Sequence, residues 1–166
     1  MRLRTLIESR APAAVILIRI MVGTVFLSEG LQKFLFAADV GSGRFAKIGF
    51  AHADVVAPFV GSFEVACGLL VLLGLVTRLA VVPLIVIILT AIVTTKLPIL
   101  LGADLGPFRV PALQRYGAWA MAHEARADWS MLLGGLFLLI VGAGRWSLDA
   151  RIGLRAARGP GASGGR

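Results

Sequence analysis

Five ionisable residues stand where ionisable residues are costly. Arg19, Glu29, Lys33, Glu64 and Lys96 all fall inside long apolar stretches of the chain. Near a bilayer centre each costs at least ~2.5–3.5 kcal/mol if it is unpaired. Residues placed against such a cost mark ion or substrate pathways, proton relays or buried ion pairs. Glu29 and Lys33 are four residues apart in the favourable order for a helical ion pair. A lysine can donate a hydrogen bond to a ligand oxygen, and a nearby carboxylate can accept a proton. The chemistry available is therefore acid–base and hydrogen bonding to a polar head group.

Other chemistries lack their residues. Cys67 is the one cysteine, so no CxxC pair, intrachain disulfide or iron–sulfur set can form. The two histidines, His52 and His123, fall in loops outside the apolar stretches, so no pair within the membrane exists to hold a haem. Rossmann glycines, a P-loop and HExxH are not found. No resident metal is expected, and any redox role would be one without a metal centre of the chain's own.

The elements that position the five charges follow from composition. Of 166 residues, 58% are hydrophobic, and mean hydropathy is +0.88. A soluble domain of this size has too little interior for that much apolar surface, so lipid must cover the remainder. The net charge of +8 comes from basic residues that flank the apolar runs, which points to an anionic lipid surface and away from nucleic acid. A span needs roughly 20 apolar residues to cross ~30 Å of hydrocarbon. Runs at 12–36, 55–76, 79–101 and 129–146 meet or approach that length. Only helices satisfy every backbone group within such a segment. The expected fold is thus all-α: an integral membrane four-helix bundle occupying residues 1–150, with a basic, partly disordered tail at 151–166. The first run is too long, and too charged, for a cleaved signal peptide.

Depth along the spans brings four of the charges together. On a rise of ~1.5 Å per residue, Glu29, Lys33, Glu64 and Lys96 lie between ~5 and ~13 Å below one boundary. Lys33 and Lys96 lean inward, and Glu64, on a helix running the other way, leans outward. They converge on one layer of two carboxylates and two ammonium groups. Ser28, Gln32, Ser62, Thr94 and Thr95 share that depth, either lining a pocket or bonding to helix carbonyls. Arg19 lies toward the other boundary, where it is expected to snorkel or meet a helix end. Gly23, Gly30, Gly61 and Gly68 allow the helices to approach closely. Two readings of the layer stand: buried ion pairs that fix helix register, or a polar pocket for a ligand or a proton, with Glu64 the residue whose protonation changes on binding.

Orientation follows from charge. With the N-terminus inside, the inner side holds nine Lys and Arg residues in short segments and the outer side five in longer loops. The bias favours both termini in the cytoplasm. Ser147 is a candidate N-cap for a short helix on the inner leaflet, with Asp149 in its first turn. In the outer loop at 102–128, Ala112 to Arg126 reads as a short helix capping the bundle.

An ordered set of segments resembles the DoxX family of small bacterial membrane proteins. It comprises Arg19, then Phe26-Leu27-Ser28-Glu29-Gly30-Leu31-Gln32-Lys33, then Gly61 to Leu70 around Glu64, then Leu73-Gly74-Leu75-Val76-Thr77-Arg78, and finally Gly142-Ala143-Gly144-Arg145-Trp146-Ser147-Leu148-Asp149. The long loop at 102–128 departs from the pattern. The resemblance implies a multi-pass protein of the bacterial inner membrane. Relatives in that family include a subunit of a thiosulfate:quinone oxidoreductase and members of thiol-linked, oxidative-stress membrane complexes. The implied role is a redox-associated membrane subunit, either quinone-linked or anchoring soluble or membrane oxidoreductase partners. A small-solute or proton transporter, for which a homodimer would supply the room, and a structural protein without a ligand are the alternatives.

Overall fold

The computed structural model describes residues 11–157. Among them no strand occurs, and the fold is all-helical. Helix α1 is Val15–Leu35, α2 is Ser42–Ile48 and α3 is Ala53–Leu73. Helix α4, Thr77–Ala91, runs on through a π-helical turn at Ile92–Lys96 into α5, Leu97–Leu101. Helix α6 is Ala118–Glu124, α7 is Arg126–Val141 and α8 is Leu148–Ala157. Three helical segments are long and apolar enough to cross a membrane: Val15–Leu35, Ala53–Leu73 and Thr77–Leu101. They match the first three expected runs to within three residues at each end. The fourth run differs. Helix α7 has 16 residues, or ~24 Å of rise: it starts three residues earlier, at Arg126, but stops before Gly142, whose φ of +86° breaks the helix.

Large apolar side chains cover the outside of these helices: Leu17, Leu69, Val86 and Leu133 are exposed, and Ile140 is 74% exposed. Such a surface in water would be an aggregation liability; in lipid it is the solvent-facing side. The interior is correspondingly thin, built from Val22, Phe26, Val71, Val81, Leu84, Met131 and Leu138.

The helices associate as two pairs. Helix α1 lies along α3 in the most extensive contact, and α4 lies along α7. Glycine sets the first contact. A Cβ on Gly30 would stand 2.8 Å from Gly61 O and 2.8 Å from Val65 N; one on Gly68 would stand 2.9 Å from Leu27 N. No side chain fits there, and the two backbones touch through Cα, as membrane interfaces rich in small residues allow. In the second pair Gly135 faces Ile85. Contacts of α3 with α4 and of α1 with α7 complete a ring. The α1–α7 contact includes Gly134 against Ile18, Met21 and Val22, in the half of α1 that carries Arg19.

At that end, which carries Arg19, the two pairs are tied together. Arg19, itself buried, donates to the carbonyl oxygens of Val71 and Leu72 at the end of α3, and to those of Ala143 and Trp146 beyond α7. It meets a helix end, one of the two outcomes expected for it, and satisfies carbonyls that α3 leaves without intrahelical partners. Asp149 accepts from the N–H groups of Val76 and Thr77 and so caps the start of α4. The turn between α3 and α4 is tight: Gly74 and Val76 both take positive φ. Ser147 caps α8, its hydroxyl accepting from Ala150 N. The remainder of the expected basic tail, including Arg158 and Arg166, lies outside the described residues.

The opposite end differs in part from expectation. The helix expected over Ala112–Arg126 is confined to Ala118–Glu124, since Gly117 takes φ +100° and Tyr116 OH ties the preceding residues into a loop, donating to Pro111 O and accepting from Leu113 N. The short helix Ala118–Glu124 packs on α5 and α7, and α2, which packs on α3, covers the same end. Phe45, Phe50 and Phe108 stack there, and Arg109 N donates to Ile48 O.

Candidate functional site

The four charges expected to share one layer all line one cavity of about 450 Å³, enclosed by α1, α3, α4 and α7 on the side away from Arg19 and approached by α2. Its floor and walls are apolar, with Phe26, Phe59, Ile88 and Met131 among them. The charged residues stand among these walls, and the size falls within the range of small-molecule sites.

Each charge is placed by its helix. One turn of α1 stacks Lys33 over Glu29, whose carboxylate lies 3.9 Å from the Lys33 ammonium. The close α1–α3 contact at Gly30 and Gly61 brings Glu64 against the same ammonium, at 2.6 Å. Lys33 and Glu64 are nearly inaccessible, at 9% and 5%, whereas Glu29 is 47% exposed. Apart from this ion pair, the Glu64 Oε2 atom meets no hydrogen-bond donor in the described residues.

Lys96 goes elsewhere. It was expected to meet Glu64 and Lys33, but it pairs with Asp128 at the start of α7, at 3.5 Å. The cause is helix packing: Lys96 and Asp128 sit on the α4–α7 pair, while Lys33 and Glu64 sit on the α1–α3 pair. The local backbone contributes. Pro98 has no N–H to offer Thr94 O, and the chain answers with a π-helical turn over Ile92–Lys96, closed by Leu97 N to Ile92 O. Thr94 and Thr95 turn their hydroxyls back onto the carbonyls of Thr90 and Ala91. Both line the cavity, as one reading of them required.

Ser28, Gln32 and Ser62 do not line it. Gln32 donates to Ser28 along the outer face of α1, and Ser62 donates to Pro58 O on an exposed face of α3. Depth placed them correctly, but successive helical residues are ~100° apart around the axis. Gln32 therefore points away from Lys33, and Ser62 away from Glu64. Three charged residues join the wall that the reading of the spans had left out: Asp128, Arg44 and Glu124. The expected layer of two acids and two bases becomes four acids (Glu29, Glu64, Glu124, Asp128) and three bases (Lys33, Arg44, Lys96). Asp128 was omitted because it lies one residue before the apolar run that begins at Trp129. By rise alone Asp128 lies ~9 Å shallower than Lys96, so depth gave no signal for the pairing.

Comparison with known proteins agrees with the architecture. A family model described as DoxX matches residues 14–97, which include Glu29, Lys33, Glu64 and Lys96. The chain is similar to a protein of Mycobacterium tuberculosis named Uncharacterized membrane protein Rv3486, with 51% identity over 152 residues, 91% of this chain and 88% of that one. No solved structure matches.

Proposed function

The chain belongs to the DoxX family of membrane proteins, and from that premise we propose that it is a redox-associated subunit of the bacterial inner membrane whose cavity receives a quinone head group. In this reading α7 is a fourth span, both termini are cytoplasmic and the cavity lies in the outer half of the bilayer. The observation that carries the proposal is the pairing of a mostly apolar cavity with a buried ion pair in its wall. Glu64 Oε2 lies in the cavity wall 2.6 Å from the Lys33 ammonium, and ionisable residues held inside apolar spans at such a cost mark ligand or proton sites.

The residues fit such a guest. Phe26, Phe59 and Met131 offer contact to a flat apolar ring and exclude water. Lys33 has N–H bonds directed at a carbonyl oxygen, and Glu64 can hold a proton at Oε2. A bound quinone would supply two-electron, two-proton carriage. The chain contributes binding, orientation and acid–base groups, and a soluble or membrane oxidoreductase partner would supply electrons. The tied inner end favours a one-sided pocket over a passage, because Arg19 and Asp149 hold the helix ends together there.

The test is binding of a short-chain ubiquinone to purified protein in detergent. Saturable binding by wild type, weakened by Glu64→Gln, is expected. Equal affinity for both proteins, or no binding by wild type, would overturn the proposal.

A further inference from the structure

Lys33 stands between two carboxylates. Its ammonium lies 2.6 Å from Glu64 Oε2 on α3 and 3.9 Å from Glu29 Oε2 on its own helix. It also donates to the Glu29 main-chain oxygen, at 3.5 Å. The two ion-pair contacts, 2.6 and 3.9 Å, place the carboxylate oxygens no more than 6.5 Å apart. One cation therefore serves two acids. The other charges of the cavity do not make up the difference. Lys96, beyond α4, is matched by Asp128 of α7, 3.5 Å away. Arg44 of α2 and Glu124 of α6 make no ion pair among the described residues, and they cancel in number. Arg44 is also exposed, so solvent screens what it offers the buried acids. With four acids to three bases, the cavity is one positive charge short.

We propose that a proton supplies that charge: Glu29 and Glu64 share one exchangeable proton across Lys33, and the cavity wall is a proton-binding site even when no guest is present. An unmatched charge in a low-dielectric site is costly, and an ionisable group there neutralises instead. Two carboxylates that share a site take up protons as a pair. An inorganic cation would need several oxygen ligands, and no group of three or more ligating side chains gathers among the described residues to hold one. The pair has a closed end and an open end. Glu64 is 5% accessible and Glu29 is 47% accessible, so Glu29 is the end that exchanges with the surroundings. Lys33 links them by giving an N–H proton to Glu64 and taking one from Glu29. The O–H bond breaks at Glu29 and forms at Glu64, the lysine is an ammonium before and after, and no electrons move. This site stands apart from the quinone reading, since it requires no guest; a guest reduced in the cavity would find its nearest proton here.

Infrared absorption of the purified full-length protein in detergent, with no quinone added, reads the carboxyl groups. At neutral pH wild type should show a protonated-carboxyl band that shifts in D2O. Glu29→Gln should abolish the band, because Glu64 and Lys33 are then matched one to one and both are ionised. Glu64→Gln should abolish it in the same way, leaving Glu29 with Lys33. Glu124→Gln, which removes an acid of the same cavity that makes no ion pair with Lys33, should leave the band in place. Absence of the band from wild type would overturn the proposal, whether or not any variant folds. So would a band that D2O does not shift, one that survives in Glu29→Gln, or one lost in Glu124→Gln. Quinone binding is measured separately, and its failure would leave this proton site standing.

Discussion

Replacing Glu64 by glutamine and Lys33 by methionine, singly and together, separates a working ion pair from two neighbouring charges. At an effective dielectric constant of about 20, a 2.6 Å contact between unit charges is worth roughly 6 kcal/mol of gross attraction and a 3.9 Å contact roughly 4. Desolvation offsets much of this, and breaking a buried pair by removing one partner costs ~3–5 kcal/mol net. Glu64→Gln should fall at the lower end, about 3 kcal/mol, because Glu29 remains beside Lys33. Lys33→Met should fall near the upper end, because Lys33 is the one ion-pair partner that Glu64 has among the described residues. For a chain of this size 3 kcal/mol corresponds to roughly 6–12 °C in Tm. The double variant should fall short of the summed losses by ~1–3 kcal/mol. Reversible unfolding in a fixed detergent supplies the four stabilities. Additivity of the Lys33 and Glu64 losses to within ~0.5 kcal/mol would refute the pairing. Glu64→Gln with Lys96→Met is the control, and it should be additive because the two residues belong to different ion pairs.

Lys96→Met and Asp128→Asn should show coupling of their own, smaller than that of the first pair because the contact is 3.5 Å long and less buried; a double-mutant cycle measures it. Gly30→Val should separate α1 from α3, since a Cβ there already lies within 3.0 Å of Gly61 O, Val65 N and Glu64 Cβ; a loss of ~1–3 kcal/mol or more is expected on unfolding, with quinone binding lost alongside. Arg19→Lys should be markedly destabilising despite keeping the charge, because an ammonium cannot reproduce a planar fork bonded to carbonyls on two helix ends; thermal melts in the same detergent would show it. In a Cys67→Ala background, single cysteines at Ser9 and Ser163 should resist an impermeant thiol reagent in intact cells, and one at Ser42 should react. Labelling at Ser9 or Ser163 would reverse the orientation.

The apolar runs made three helical spans legible, because a stretch such as Ala53–Leu73 admits one reading in lipid. Depth was legible too, since it depends on rise alone, and it gathered Glu29, Lys33, Glu64 and Lys96 on one cavity. Azimuth and partner were not. Ser28 and Gln32 share the depth of Glu29 and Lys33 but face outward, where they bond to each other. Whether Lys96 meets Glu64 or Asp128 depends on which helices pack as pairs, and that is set by backbone contact at Gly30, Gly61 and Gly68. The added cover by α2 was not legible, because it depends on Phe45 and Phe50 meeting Phe108 far along the chain. Arg19 was legible as a seeker of helix ends. Its four carbonyl partners, two of them more than 120 residues away, were not.

The central claim is that the cavity between the two helix pairs holds a ring-shaped guest. Photo-crosslinking with a short-chain azidoquinone, followed by peptide mapping, tests it most directly. The account predicts adducts on cavity-wall residues such as Phe26, Phe59 and Met131, abolished by excess unmodified quinone and reduced in Glu64→Gln. Adducts confined to lipid-facing residues such as Leu17, Leu133 and Ile140, or labelling that excess quinone does not displace, would contradict it.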